Sequence, residues 1–321
     1  MLERKKKMIV LNSLTKVFGD KVAVDNISFT VEDGEIMGFL GPNGAGKSTT
    51  MNILTGYLSA TSGEVKINGV DIFEEPSKAK KNIGFLPEQP PLYVDMTVTE
   101  YLKFVCDLKE YKGNRKKHIE EICEKTGISH VKNRIIRNLS KGYRQRVGIA
   151  QALVGDPKVL IFDEPTVGLD PVQIIEIREL IRALGKQHTV ILSTHILSEV
   201  QAVCDRIVII NKGKIVADEK TDELAEKTAG SKKYKVTLLC DTSVGKRILE
   251  ATEGIRGVKS IPSAEPDACS FEFESDYEVD ARRTLFNSLT QTGVCPLELT
   301  SVSLSLEDIF ITLAGKENGT K

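Results

Sequence analysis

Gly41, Pro42, Asn43, Gly44, Ala45, Gly46, Lys47 and Ser48 follow the spacing G-x-x-x-x-G-K-[ST]. Glycines at those points let the backbone curl so that successive N–H groups face inward, which suits phosphate oxygens. Lys47 adds a cation for β- and γ-phosphates, and the Ser48 hydroxyl is suited to Mg²⁺, with Thr49 the next residue of the same turn. A bare Gly-rich turn is the bland reading. Against it, the run lies between the apolar strand-like Glu35-Ile-Met-Gly-Phe-Leu and a helix-like stretch over residues 47–54. A helix starting near Lys47 would turn its positive end toward the same anion.

Val159-Leu-Ile-Phe-Asp163-Glu164 is an apolar strand that ends in two acids. It would place carboxylates at the carboxyl edge of a sheet, where nucleotides bind in α/β folds. Asp163 would hold Mg²⁺ through water, and Glu164 would polarise an attacking water. Alone, such a pair reads as a solvated strand end. Beside a phosphate loop, the chemical reading is the stronger one.

Leu139-Ser-Lys-Gly-Tyr-Arg-Gln-Arg146 resembles the signature of ABC ATPases, with Lys141 and Tyr143 where the commoner form has Gly and Gln. Ser140 at a helix start is equally an N-cap, and the free N–H groups there also suit a γ-phosphate. In order along residues 8–228, the remaining motifs resemble the same family. Gly168-Leu169-Asp170 looks like its D-loop, and His195, after Leu192-Ser-Thr, looks like its switch histidine. Phe18 matches the aromatic that stacks on adenine, although a core role would suit a lone Phe as well. Glu88 stands where many members carry a Gln near Mg²⁺ and the attacking water. A one-residue shift would give that place to Gln89, but neighbouring strand residues face opposite ways, which favours Glu88.

The resemblance implies ATP and Mg²⁺ as ligands. Lys47, Glu164 and His195 would act in hydrolysis, and Ser48, Asp163 and Glu88 would face the metal. Ser140, Gly142 and Asp170 would face nucleotide across a dimer, because one phosphate loop meets the other subunit's signature. Leu86-Pro87-Glu88, Leu139-Ser-Lys-Gly-Tyr, Thr166-Val-Gly-Leu-Asp-Pro and the tail Leu304-Ser-Leu-Glu-Asp-Ile-Phe look like ATP-binding subunits of type-two ABC exporters, including the gliding-motility kind.

The elements that must position these residues alternate between strand and helix, the pattern of a doubly wound α/β core. Ribbon-like strands are expected over residues 8–16 and 22–32, and further strands over 64–69, 83–86, 159–162 and 189–193. A helical insert is expected over residues 89–138, with breaks at Gly113 and Gly127. Asn211-Lys212-Gly213-Lys214 lacks the Asp of a GTPase base-reading motif and reads as a hairpin turn. A helix over 221–228 and a linker at Ala229-Gly230-Ser231 would end an ATPase domain at residue 230. Residues 231–321 then run β-α-β-β-α-β, the order of a ferredoxin-like unit, followed by a short helix over 306–313. The fold class is therefore an α/β P-loop core with a β-ribbon subdomain and helical insert, followed by a small α+β domain.

The chain has 321 residues, with 44 basic and 45 acidic side chains and a formal charge of −1. That balance argues against coating nucleic acid or an anionic membrane. No uncharged apolar run reaches the ~18 residues of a membrane span, and the charged start does not read as a signal peptide. Six scattered cysteines without a C-x-x-C pair indicate reduced thiols, and the four histidines have no metal-ligand spacing. Together with the absence of a span, the resemblance implies a soluble ATPase peripheral on the inner face of the cell membrane. It would drive a separate membrane-spanning permease subunit and pair with a second, identical, nucleotide-binding subunit. A soluble ABC ATPase acting on ribosomes or DNA is the alternative. Such chains usually carry two cassettes or a long coiled-coil insertion, and this one has neither.

Overall fold

The computed structural model describes residues 6–221, 231–276 and 280–302. The chain separates into two compact units, Met1–Thr221 and Asp222–Lys321. The first opens with two long strands, β1 (Lys7–Phe18) and β2 (Lys21–Glu32), paired antiparallel. Ile9, Leu11 and Leu14 of one, and Ile27, Phe29 and Val31 of the other, turn inward and are buried.

The strand β3 (Ile36–Leu40), buried along its whole length, runs through the glycine loop into α1 (Lys47–Leu54). Next come β4 (Ser62–Ile67) and β5 (Val70–Asp71), which complete a four-stranded sheet in the order β2-β1-β4-β5. A short α2 (Pro76–Lys81), begun by proline at its first position, leads into β6 (Ile83–Leu86). Neither β5 nor α2 is evident from the sequence pattern, being too short to show a period.

The insert contains α3 (Val98–Leu108) and α4 (Arg115–Lys125). Thr97 and Glu100 form a reciprocal capping box on α3, and Asn114 caps α4. Two 3-10 turns, Ser129–Val131 and Ile136–Asn138, close it. The chain continues through α5 (Lys141–Leu153), β7 (Val159–Asp163), α6 (Pro171–Gly185) and β8 (Thr189–Thr194). Then follow α7 (Leu197–Val203), β9 (Arg206–Asn211) and β10 (Lys214–Lys220).

The main sheet has the order β10-β9-β3-β8-β7-β6, parallel except for the antiparallel edge strand β10. Such strands are buried on both faces, which is why β3 and residues 159–162 of β7 read as apolar runs and β8 has Val190, Ile191 and Leu192 at its centre. On one face Met37, Phe39, Ile161 and Ile191 share a core with Met51 and Ile53 of α1 and with the β1–β2 ribbon. On the other face helices pack closely. A Cβ on Gly38 would lie 2.0 Å from Val200 of α7, and one on Gly84 would lie 2.2 Å from the Ala152 carbonyl of α5. The sheet order sets β3, β8 and β7 side by side, so the glycine loop, His195 and the Asp163-Glu164 pair leave adjacent strand ends.

In the second unit, β11 (Ser231–Leu239), α8 (Thr242–Ala251), β12 (Ile255–Ile261), β13 (Cys269–Asp276), α9 (Ala281–Thr292) and β14 (Cys295–Val302) follow in turn. Their sheet runs β12-β13-β11-β14, antiparallel throughout. Tyr234, Val236, Phe271 and Phe273 pack with Leu249 and Leu285 into a core of its own. Most of the helix expected over 221–228, Ala229 and Gly230 of the linker, the helix over 306–313 and the tail motif from Leu304 lie outside the described residues.

Candidate active site

The loop between β3 and α1 is held on two sides. Gly46 precedes α1 in the left-handed region at φ 111°, and a Cβ there would lie 2.6 Å from the Ala23 carbonyl of β2. A Cβ on Gly41 would lie 2.4 Å from the Ile210 carbonyl of β9. Only glycine fits at either place. The β9–β10 turn braces the loop further: Gly213 N–H donates to the Ala45 carbonyl at 2.9 Å, and Asp25 N–H donates to the Gly213 carbonyl at 2.8 Å.

Lys47, 5% exposed, donates from Nζ to the carbonyls of Gly41 at 2.8 Å and Pro42 at 3.3 Å, and lies 3.5 Å from Glu164 Oε1. Glu164 itself sits at φ 49°, a strained conformation for a side chain of its size. Its N–H donates to the Ser193 carbonyl at 2.9 Å, and both its oxygens lie 3.0 Å from His195 Nδ1. With a proton on Nδ1 the ring donates to that carboxylate.

Asp163, at the end of β7, is 4% exposed, and its Oδ1 has no hydrogen-bond partner. Burial pushes its carboxyl above the usual range; Ser193 and Ser48 draw it back, and Glu164 and Glu88 add to the rise. A buried carboxylate oxygen without a donor suits a cation. No group of three or more His, Cys, Asp or Glu is placed to hold a metal among the described residues. The donors here are instead one buried carboxylate, a serine hydroxyl and the Glu88 carboxylate, which fits Mg²⁺ completed by phosphate and water oxygens.

Above these residues opens a cavity of about 620 Å³, within the range of small-molecule sites. Asn43, Gly44, Lys47, Ser48 and Thr49 line it, together with Glu164, His195, Glu88 and Phe18. Phe18, the last residue of β1, is 46% exposed, with the Lys16 ammonium 4.9 Å from its ring centre. Gln89 does not line the cavity. The strand alternation used to separate it from Glu88 does not operate here, because β6 stops at Leu86 and both residues lie beyond it.

Ser140, Gly142 and Asp170 do not reach this cavity. They line a separate hollow of about 300 Å³ between α5 and α6. Ser140 accepts from Tyr143 N–H as the cap of α5, and Asp170 accepts from Gln173 N–H at 3.0 Å as the cap of α6. A Cβ on Gly142 would meet the Gln173 side chain at 2.7 Å.

Sequence reasoning missed Lys21, Val22, Ala23, Val167, Lys212 and Gly213, all of which line the main cavity. The Asn211–Lys214 stretch forms the expected hairpin turn, with Asn211 paired to Lys214. Nothing local to that turn marks its place against a loop so distant in sequence.

The family model described as ABC transporter matches residues 24–167. The bacitracin transport ATP-binding protein BcrA of Bacillus licheniformis is 34% identical over 316 residues, spanning 96% of this chain and 97% of that protein. The chain belongs to the ABC transporter ATP-binding proteins. YhcH of Bacillus subtilis, an ABC transporter ATP-binding protein, is 42% identical over 229 residues, 68% of this chain and 73% of its own length. Among solved structures, cbiO1 of Clostridium perfringens, part of the ABC transporter complex cbiONQ, matches with a TM-score of 0.64 and 30% identity. That match covers 70% of this chain and 92% of cbiO1. The dimeric bacterial ABC transporter cassette MJ0796 matches with a TM-score of 0.61 and 29% identity over 67% of this chain and 99% of MJ0796. No helix among the described residues of this cassette is long and apolar enough to cross a membrane.

Proposed function

We propose that this cassette binds MgATP in the 620 Å³ cavity and hydrolyses it to drive a separate membrane-spanning subunit. The observation that carries the reading is the meeting of Lys47 and His195 around the Glu164 carboxylate, the residue next to Asp163 with its buried orphan oxygen.

In this reading the inward N–H groups of the glycine loop and the Lys47 ammonium hold the β- and γ-phosphates. Ser48, Asp163 and Glu88 hold Mg²⁺, which when bound neutralises charge on the phosphoryl oxygens. Glu164 orients the attacking water and takes its proton. His195 keeps that carboxylate aimed through its Nδ1–H. Phe18 offers a face to the adenine ring.

Ser140, Gly142 and Asp170, remote from the cavity in one chain, act on nucleotide held by a second copy, as in a head-to-tail sandwich. The dimeric MJ0796 cassette supports such pairing. Relatives named for bacitracin transport, linearmycin resistance and lantibiotic transport support an exporter, with the cassette peripheral on the inner face of the membrane. Residues 231–321 act as a ferredoxin-like accessory domain.

Two measurements test this. Lys47→Ala is expected to abolish turnover and weaken nucleotide binding; unchanged turnover would overturn the site. Purification from a detergent extract is expected to carry a stoichiometric multispan partner, and recovery on ribosomes or DNA instead would overturn the transport role.

A further inference from the structure

Glu199, on α7, is a carboxylate only 1% exposed to solvent. A buried charge of this kind persists only where hydrogen bonds and counter-charge hold it. Its Oε1 accepts from the Thr166 hydroxyl at 2.6 Å, and its Oε2 accepts from the Thr194 hydroxyl at 2.9 Å. Arg178 Nη2 of α6 lies 3.7 Å from Oε1.

The partners are informative by their places in the chain. Thr166 is two residues past Glu164, in the loop that leads to Asp170. Thr194 immediately precedes His195 and also accepts from Ile196 N–H at 3.2 Å, so its hydroxyl bridges the residue on either side of the histidine. Arg178 belongs to the helix that Asp170 caps. One carboxylate therefore ties the loop after Glu164, the bend that carries His195, and α6.

We infer that Glu199 is a positioning residue for hydrolysis: through Thr166 and Thr194 it holds Glu164 and His195 in the mutual geometry that orients the attacking water. This rests on the assignment of Glu164 and His195 above. Glu199 does not line the nucleotide cavity, so its loss should leave ground-state binding alone and slow the chemical step.

The test is steady-state ATPase kinetics on the full chain. Glu199→Ala is expected to lower kcat about tenfold to a hundredfold, the scale of a misplaced reacting group, with KM for ATP little changed. Glu199→Gln, which keeps length and one acceptor, should recover part of that loss. In a His195→Ala background, Glu199→Ala should cost less than it does alone, because the part of its effect that passes through Thr194 and the histidine is already lost. Thr166→Val and Thr194→Val each remove one hydroxyl at constant volume, and should lower kcat even if Glu199→Ala folds poorly. Full kcat in Glu199→Ala, or in both threonine variants, would overturn the inference, as would losses that simply multiply in the His195→Ala background. An active Glu164→Gln would instead overturn the site assignment on which the inference stands.

Discussion

Both carboxylate oxygens of Glu164 lie 3.0 Å from Nδ1 of His195, across 31 residues of sequence. Register brings them together: β7 and β8 are adjacent and parallel, with Asp163 opposite Ser193. Glu164 is the first residue past one strand end, and His195 follows Thr194 at the other. The Glu164 N–H to Ser193 carbonyl bond ties the ends, and the positive φ of Glu164 turns its side chain toward the imidazole.

Glu164→Gln is expected to bind ATP and hydrolyse it at least about 10²-fold more slowly, since an amide cannot accept a proton from water. The trapped state should elute from gel filtration as an ATP-bound dimer. Monomers at saturating ATP would count against the sandwich.

Phe18→Ala is expected to raise KM for ATP by a factor corresponding to about 1–3 kcal/mol, the worth of one base on an aromatic face. GTP should suffer similarly, because stacking tolerates either base. Because nearly half of Phe18 is exposed, the melting temperature should barely move. A lowered melting temperature with unchanged KM would assign Phe18 to the core.

Glu88→Ala is expected to reduce ATPase activity and raise the Mg²⁺ concentration required, because the change takes an oxygen ligand from the cavity wall. Gln89→Ala should be near wild type. The reverse pattern in a Mg²⁺ titration would give the role to Gln89.

Asp163→Asn is expected to raise the melting temperature at pH 7 while abolishing hydrolysis. Burial lifts the Asp163 carboxyl above its ordinary value, so the folded chain holds that proton more tightly than the unfolded chain does. Stability from this group is present at pH below the ordinary carboxylate value and is lost as pH rises through the folded value. Toward neutral pH the buried carboxyl therefore costs stability relative to acid pH, and the amide removes that cost. Thermal melts of both proteins at pH 5 and 7 check the sign, and a less stable Asp163→Asn would contradict it.

A chain ending at residue 230 is expected to bind ATP as the full chain does, since every residue of the cavity wall precedes it and each unit has its own core. Fluorescent-nucleotide titration is the measurement. A soluble truncation blind to nucleotide would place the boundary elsewhere.

What the sequence determined by itself is whatever is encoded over a few consecutive residues. The glycine loop is legible because its backbone curl needs glycine at fixed offsets, and α1 begins at Lys47 as the spacing predicts. The apolar run ending in Asp163 is legible because a strand covered on both faces admits almost no polar residue. Serine at 140 and proline at 171 mark helix starts by local hydrogen bonding and fixed φ. Tertiary structure alone decided what meets across the sheet. The register of β7 on β8 pairs Glu164 with His195, and the β9–β10 turn places Lys212 and Gly213 on the cavity wall. Short α7 carries Glu199 with no sequence period to announce it, and its carboxylate matters only through hydroxyls on two other segments. Local patterns record the preferences of a residue and its chain neighbours. Contacts between distant segments are set by which strands pair and in what register, and no window of consecutive residues contains that information.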